Sequence, residues 1–338
     1  MPESLPLYTA DDWQTQLREV ITSPLQLLEL LDLQTHQVDY SEQASAQFAL
    51  KVPLAFVRRM EKGNPQDPLL LQVLASAAET RQAPGYGHDP VGETGAANPQ
   101  KGIIHKYRGR ALLIVASGCA INCRYCFRRH FPYSDNQNSR QQWRDTLHYI
   151  GSDTSIEEVI LSGGDPLIAN DRLLQELVNE LASFKHLRRL RIHSRLPVVL
   201  PDRVTPGLLN AITPSSLQTV MVIHSNHANE IDRNVATAID AMRQRDITVL
   251  NQSVLLRGIN DNAQALSDLS EKLFAAGALP YYLHLLDKVA GAAHFDTAQE
   301  CARQLMGEVA AILPGYLVPR LVREDAGASA KTGVDFLY

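Results

Sequence analysis

The stretch Ala111-Leu-Leu-Ile-Val-Ala-Ser117 runs through Gly118 straight into Cys119-Ala-Ile-Asn-Cys123-Arg-Tyr-Cys126-Phe127. A short run of aliphatic residues reads as a buried strand. The cysteines therefore sit just past its C-terminal end, where parallel α/β folds assemble their active sites. Three clustered thiols in a chain with only four cysteines point to a metal site, and three ligands leave one coordination position open for chemistry. Spacing alone equally allows zinc, because His130 follows closely enough to complete a set of three cysteines and one histidine. A 338-residue chain has no need of a zinc knuckle to stabilise its core, which favours the catalytic reading.

With 45% hydrophobic and 20% charged residues, the chain reads as an ordinary globular protein with a sizeable core. Its net charge of −5 leaves no basic footprint, so nucleic acid is not an expected partner. Arg124, Arg128, Arg129 and His130 form a local cationic knot that reads either as a solvated face or as a clamp for carboxylate or phosphate. The opening residues lack the cationic start and apolar core of a signal peptide, and no apolar run is long enough to span a bilayer. Clustered cysteines without a disulfide framework fit a reducing, cytoplasmic setting with no membrane partner. Cys301, alone in a helical stretch, reads as a small buried hydrophobe.

Residues 1–80 read as an all-helical region. Trp13, Leu17, Val20 and Ile21 share a helical face, and Ser23-Pro24 starts a second helix. Residues 81–110 are turn-rich, a linker or wrapping loop. From 111 to about 315, strand-like runs at 111–117, 157–162, 188–193, 218–224, 247–255 and 280–286 alternate with helical stretches at 139–150, 171–184, 205–212, 229–245, 262–276 and 297–312. Successive β-α units require parallel strands joined by crossovers, hence α/β, either a doubly wound sheet or a barrel. Residues 316–338 form a C-terminal segment.

The strand ends are polar. After the second comes Ser162-Gly163-Gly164-Asp165, whose paired glycines let a ligand approach the backbone or simply make a tight turn. The third ends in His193-Ser194-Arg195, the fourth in His224-Ser225-Asn226-His227, and the fifth carries Asn251-Gln252-Ser253. These histidines lack ligand spacing and read as hydrogen-bonding pocket residues.

The cysteine spacing resembles the radical S-adenosylmethionine (SAM) superfamily. Further words resemble one branch of it, the lysine 2,3-aminomutases: Glu61-Lys-Gly-Asn-Pro65, His105-Lys-Tyr107, Cys119 to His130, Ser162 to Leu167, Asn251 to Asp261 and Tyr281 to Phe295. Within that family, the short length and Arg128-Arg129-His130-Phe131-Pro132-Tyr133 resemble the bacterial branch that serves elongation factor P.

The resemblance implies a partial (β/α)6 radical SAM barrel with an N-terminal helical segment and a C-terminal segment binding pyridoxal phosphate (PLP). It implies that Cys119, Cys123 and Cys126 hold a [4Fe-4S] cluster, and that Ser162, Gly163, Gly164 and Asp165 meet SAM. It implies that Lys331 forms a Schiff base with PLP, with Tyr107, Arg110 and Gln252 beside the cofactors. By composition alone, a lysine so placed reads as solvated. The family has a longer glycine run before it than Ala326-Gly-Ala-Ser-Ala330. Arg128 matches the family's clamp for the substrate carboxylate, and Asp287 a partner of the ε-ammonium. The second such partner is Glu324 by counting back from Lys331, or Asp325 by aligning Asp-Ala. The implied reaction is the conversion of L-lysine to β-lysine, in the (R) form, using an electron donor of flavodoxin or ferredoxin type. A separate ligase would attach the product to elongation factor P. The other readings are an aminomutase for another amino acid, a PLP-independent SAM-cleaving enzyme, and a non-catalytic zinc scaffold.

Overall fold

The computed structural model describes residues 13–95, 97–133, 140–214 and 216–337. The opening residues read for a leader, 1–12, and residue 139 of the first expected crossover helix lie outside that set.

Four short helices come first: α1 (Trp13–Arg18), α2 (Pro24–Leu30), α3 (Glu42–Gln47) and α4 (Leu54–Val57). The side chains of Ser23 and Ser41 cap α2 and α3 by accepting from the N–H groups of Gln26 and Ala44. Val20 and Ile21 do not lie on α1, contrary to the periodicity. The chain before Pro24 is pushed towards extended backbone, and Ile21 pairs with Val52 in an antiparallel bridge.

A strand, β1 (Ile103–Tyr107), forms inside the segment read as a wrapping loop and runs antiparallel to β2 (Arg110–Ala116). Then α5 (Arg140–Ser152), β3 (Glu158–Gly163), α6 (Asp171–Ser183), β4 (Arg189–Ser194), α7 (Leu196–Val199), α8 (Pro206–Ile212), β5 (Gln218–His224), α9 (Arg233–Arg243) and β6 (Thr248–Val254) follow. The chain closes with α10 (Ala263–Ala276), β7 (Leu279–His284), α11 (Gln299–Ile312), β8 (Arg320–Arg323) and β9 (Thr332–Gly333).

The nine strands pair in chain order, parallel from β2 through β8 and antiparallel at both ends. A doubly wound sheet must reverse its order at a switch point. This one never reverses, so that alternative is excluded. The expected six strands and their helices are present within a few residues. The sequence reading missed β1, β8 and β9, which are too short or too close to turn residues to show a period.

Physical reasons for the regular elements are local and legible. β3 is buried along its whole length, as a parallel strand covered on both faces must be. In α6 the buried residues are Leu174, Leu177, Val178 and Leu181, one stripe of a 3.6-residue period, and Asn170 caps its start. Asp232 and Asn262 cap α9 and α10 in the same way, and Gly277, at φ 95°, ends α10 in the left-handed conformation. One apolar core reaches from Trp13 and Phe56 in the N-terminal helices through Leu113, Leu161, Ile192 and Val249 in the sheet.

Candidate active site

Parallel strands deliver their C-terminal ends to one side of the sheet, and there a cavity of about 290 Å³ opens. Its wall includes Cys119, Cys123 and Cys126 past β2, Ser162 to Asp165 at the end of β3, Gln252 on β6, Asp287 past β7, and Glu324 past β8. Lys331, just before β9, enters the same space, with Tyr107 and Arg110 from the β1–β2 hairpin. Sites scattered over more than two hundred positions of sequence thus meet in one pocket.

The cysteine loop is shaped by the segment before it. Asn122 N–H donates to Lys51 O at 2.9 Å, Asn122 Nδ2 to Ala49 O at 2.9 Å, and Arg124 N–H to Gln72 O at 2.9 Å. Arg124, fully buried, donates through Nε to Glu79 Oε1 at 2.8 Å and through Nη1 to Phe48 O. Arg129 Nη2 reaches the same Glu79 carboxylate at 3.0 Å. Arg124 and Arg129 are therefore held in an interior ion-pair network rather than on a solvated face, whereas His130 of the same knot is exposed. Burial and the neighbouring thiols push Cys119 well up and Cys126 to about 11, so ionising these thiols together needs a bound cation. His130 bonds through Nε2 to Ala290 O at 3.2 Å and stacks on His88 at 4.3 Å, engaged away from the thiols.

The glycine pair has a steric cause. A Cβ on Gly164 would lie 2.2 Å from Gly118 O, and one on Gly163, at φ +124°, 2.4 Å from Ala116 O. Gly164 is thereby packed against the residue that leads into the cysteine loop, and Gly163 against the end of β2. Asp165 is buried and saturated: Oδ1 accepts from Leu167 N–H at 3.0 Å and Ser194 Oγ at 2.7 Å, Oδ2 from the N–H groups of Arg195 at 2.9 Å and Leu196 at 3.1 Å. Its carboxylate pins β3 to the end of β4. Gly163 O is taken by Tyr133 Oη at 2.8 Å.

At the other end of the cavity, Glu324 accepts from Lys106 Nζ at 2.7 Å and from Lys331 Nζ at 2.9 Å. Burial pushes its carboxyl up, but Lys331 and Lys106 outweigh that and hold it down at about 2. Asp287 has no such cation in contact, and burial followed by repulsion from Glu324 raises it to about 7. Asp325 does not belong to the site: it faces outward, accepting from Arg323 Nε at 3.0 Å and Thr332 Oγ1 at 2.6 Å. Successive residues after a strand point to opposite sides, so only one of this acidic pair can look inward. Lys331 is not solvated, as composition alone would have it, but turned into the cavity. Cys301 is exposed on α11, correcting its reading as a buried residue.

Arg128 lies in the cavity wall with its fork occupied. Nε and Nη2 meet Glu93 at 2.6 and 2.8 Å, and Nη1 reaches Ser162 Oγ at 3.1 Å and Gly163 O at 3.3 Å. Glu93 was missed because it stands in a glycine-rich stretch with no period; Asp89, whose carboxylate caps Glu93 and Thr94, folds that stretch back on the site. Lys106 and Arg195 were also missed, although both stand in motifs already singled out. His284 is buried and His193 and His224 are half-buried; desolvation lowers the pKa of all three, and their Nε2 atoms have no hydrogen-bond partner. The same is true of Gln252 Oε1 and Arg110 Nε. Buried orphans of this kind facing one cavity mark where bound groups belong.

Comparison with known proteins agrees with this geometry. The profile of a 4Fe-4S single cluster domain matches residues 108–189, which hold all three cysteines and the glycine turn. The chain is 50% identical over 326 residues to the L-lysine 2,3-aminomutase of Escherichia coli, covering 96% of this chain and 95% of that one. Its identity to the enzyme of that name from Haemophilus influenzae is 48% over 98% of both chains. With the enzyme from Clostridium subterminale it is 31%, over 96% of this chain and 78% of the longer relative. No helix among the described residues is long and apolar enough to cross a membrane. Identity at this level over nearly the whole length, with the three-cysteine motif in the wall of the cavity, places the chain in the radical SAM lysine 2,3-aminomutase family.

Proposed function

We propose that this protein is a lysine 2,3-aminomutase that converts L-lysine to β-lysine, moving the amino group from C2 to C3. The observation that carries the reading is Lys331: an amine turned inward onto Glu324, across one cavity from three cysteines. The residues fit the family's cofactors. Three clustered thiols suit a [4Fe-4S] cluster with an open iron for SAM. The orphaned Nε2 atoms of the histidines, Gln252 Oε1 and Arg110 Nε offer donors and acceptors to a second cofactor, and cationic side chains in the wall outnumber acidic ones six to four, which suits a phosphate. When bound, these groups supply a carbon radical able to take hydrogen from an unactivated C3 and a conjugated ring that carries the nitrogen as it moves.

The protein's own residues have binding and orienting work to do. Lys331 would hold PLP through its Nζ, with Tyr107 and Arg110 against it. In this reading Arg128 receives the substrate carboxylate at its Nη1 end in place of Ser162 and Gly163, while Glu93 keeps Nε and Nη2 and fixes the plane of the guanidinium. Glu324 and Asp287 flank the ε-ammonium, a cation that tolerates burial only beside acids. The sheet, whose strands pair in chain order, is read as a partial (β/α)6 barrel.

Incubating the anaerobically reconstituted enzyme with SAM, dithionite and L-lysine tests the reading. β-Lysine is expected, in the (R) form by chiral chromatography. Turnover of a different amino acid alone would move the substrate assignment, and borohydride trapping at a lysine other than Lys331 would remove PLP from the proposed place. The family likeness further supports a cytoplasmic role in supplying β-lysine to a ligase acting on elongation factor P, with a flavodoxin or ferredoxin as electron donor. Deleting the gene should then remove the β-lysyl mass from that factor.

A further inference from the structure

Arg195 follows the last residue of β4, and its guanidinium runs beneath the cysteine loop rather than towards Lys331. Nη1 donates to Cys123 Sγ at 2.8 Å. Nη2 donates to Gln72 Oε1 at 2.6 Å and to Glu230 Oε2 at 3.0 Å. The group lies over the rings of Phe56 and Tyr125, at 5.3 and 5.6 Å from their centroids, and is 6% exposed. Its backbone N–H is held by Asp165, so both ends of the residue are fixed.

Glu230 is equally immobile. It has no solvent exposure, and its Oε1 accepts from Gln72 Nε2 at 3.1 Å and from the N–H groups of Asn226 at 2.8 Å and His227 at 3.1 Å. A cation and an anion are thus buried in series behind one cysteine sulfur, the cation in contact and the anion one group further away. No step proposed for substrate uses either of them. An exposed pair would matter little, but in a desolvated setting each charge acts on the sulfur through far less screening than in water.

Resting on the reading that the three cysteines hold a [4Fe-4S] cluster, we propose that Arg195 and Glu230 are positioning residues that set the reduction potential of that cluster through Cys123, with opposite signs. Reduction adds one electron, supplied by a low-potential reductant, and makes the cluster more negative. A donor and positive charge at a ligand sulfur stabilise the reduced form and raise the potential, while the carboxylate behind it offsets part of that effect. Arg195→Gln therefore makes the cluster harder to reduce, and Glu230→Gln makes it easier. Arg195→Lys, which keeps the charge but has no fork to serve the sulfur and Glu230 together, falls between wild type and Arg195→Gln.

The test is an anaerobic dithionite titration of reconstituted protein without SAM or lysine, following the reduced cluster by electron paramagnetic resonance. Iron and sulfide content are measured on the same samples. At one fixed potential the reduced-to-oxidised ratio should fall about tenfold in Arg195→Gln, equivalent to about 59 mV for one electron, and should rise in Glu230→Gln. Wild-type protein that takes up no iron and sulfide defeats the cluster reading itself. Wild-type protein with a full cluster, whose two variants titrate like it or shift in the same direction, overturns the present proposal alone. If Arg195→Gln fails to keep its cluster, Glu230→Gln still decides: an upward shift supports the proposal, and no shift or a downward one overturns it.

Discussion

Lys331 Nζ stands 2.9 Å from Glu324 Oε2, while the other oxygen of that carboxylate holds Lys106 Nζ at 2.7 Å. One acid therefore meets two ammonium groups in the free protein. If Lys331 is consumed in an imine with PLP, its place beside Glu324 falls vacant, and an ε-ammonium is the same chemical group that left.

Replacing Glu324 by Gln should accordingly be severe. Two partly buried ammonium groups would face a neutral amide, a loss of roughly 2 to 5 kcal/mol, or about 30-fold to several thousand-fold in kcat/KM for lysine. Asp325→Asn, outside the cavity, should stay within about threefold, since its ion pair with Arg323 is exposed. Steady-state kinetics on both variants check the assignment, and equal losses would contradict it. Glu324 also gives an acid-side signature. Its folded pKa, about 2, lies below its ordinary value, so its stabilising effect is fully present above that ordinary value and is lost as pH falls from there towards 2. Urea melts over that window should show a drop that Glu324→Gln lacks.

Asp287 behaves in the opposite sense. Its pKa of about 7 lies above the ordinary value, so the fold favours the neutral acid and loses that contribution as pH rises through 7. Binding a cation needs the ionised form. For wild type, kcat/KM on lysine should rise with pH through an inflection near 7, and this inflection should be missing in Asp287→Asn, which should also turn lysine over far more slowly. A neutral lysine analogue should show little of either effect.

Glu79 is 1% exposed and serves Arg124 and Arg129 together. Glu79→Gln should leave two buried guanidinium groups without a counter-charge, destabilising the fold by about 3 to 5 kcal/mol. Urea denaturation measures that directly. Iron bound after reconstitution should fall as well, because Arg124 lies between two of the cysteines.

Gly164→Ala forces a methyl group onto the backbone of Gly118, which has no rotamer by which to yield. A lower melting temperature and a depleted cluster are expected. Gly315→Ala, with nothing within 4 Å of its added Cβ, should match wild type in both.

Much of this was legible beforehand because it rests on local rules. The strands β2 to β7 announce themselves by aliphatic runs, the long helices by their stripes and caps, and the three cysteines by spacing. What escaped has a common cause. Glu93, β1 and β8 lie in short, irregular or turn-rich stretches, and their importance comes from where the fold carries them. Choosing Glu324 over Asp325 needed the direction in which each residue leaves β8, which no pattern of residue types reveals. The cationic knot could be read either as a solvated face or as an anion clamp, because the acids that pair with its arginines, Glu79 for Arg124 and Arg129 and Glu93 for Arg128, are far away in sequence.

The carbonyls that cradle the cysteine loop, those of Phe48, Ala49, Lys51 and Gln72, all precede it in the chain. During synthesis from the N-terminus they leave the ribosome before Cys119 does, whereas Lys331 follows only after β1 to β8. On the proposed assignments the nascent protein therefore possesses the loop that would hold iron well before it possesses the amine that would take the aldehyde, so iron delivery can begin on an incomplete chain while capture of the aldehyde waits for Lys331.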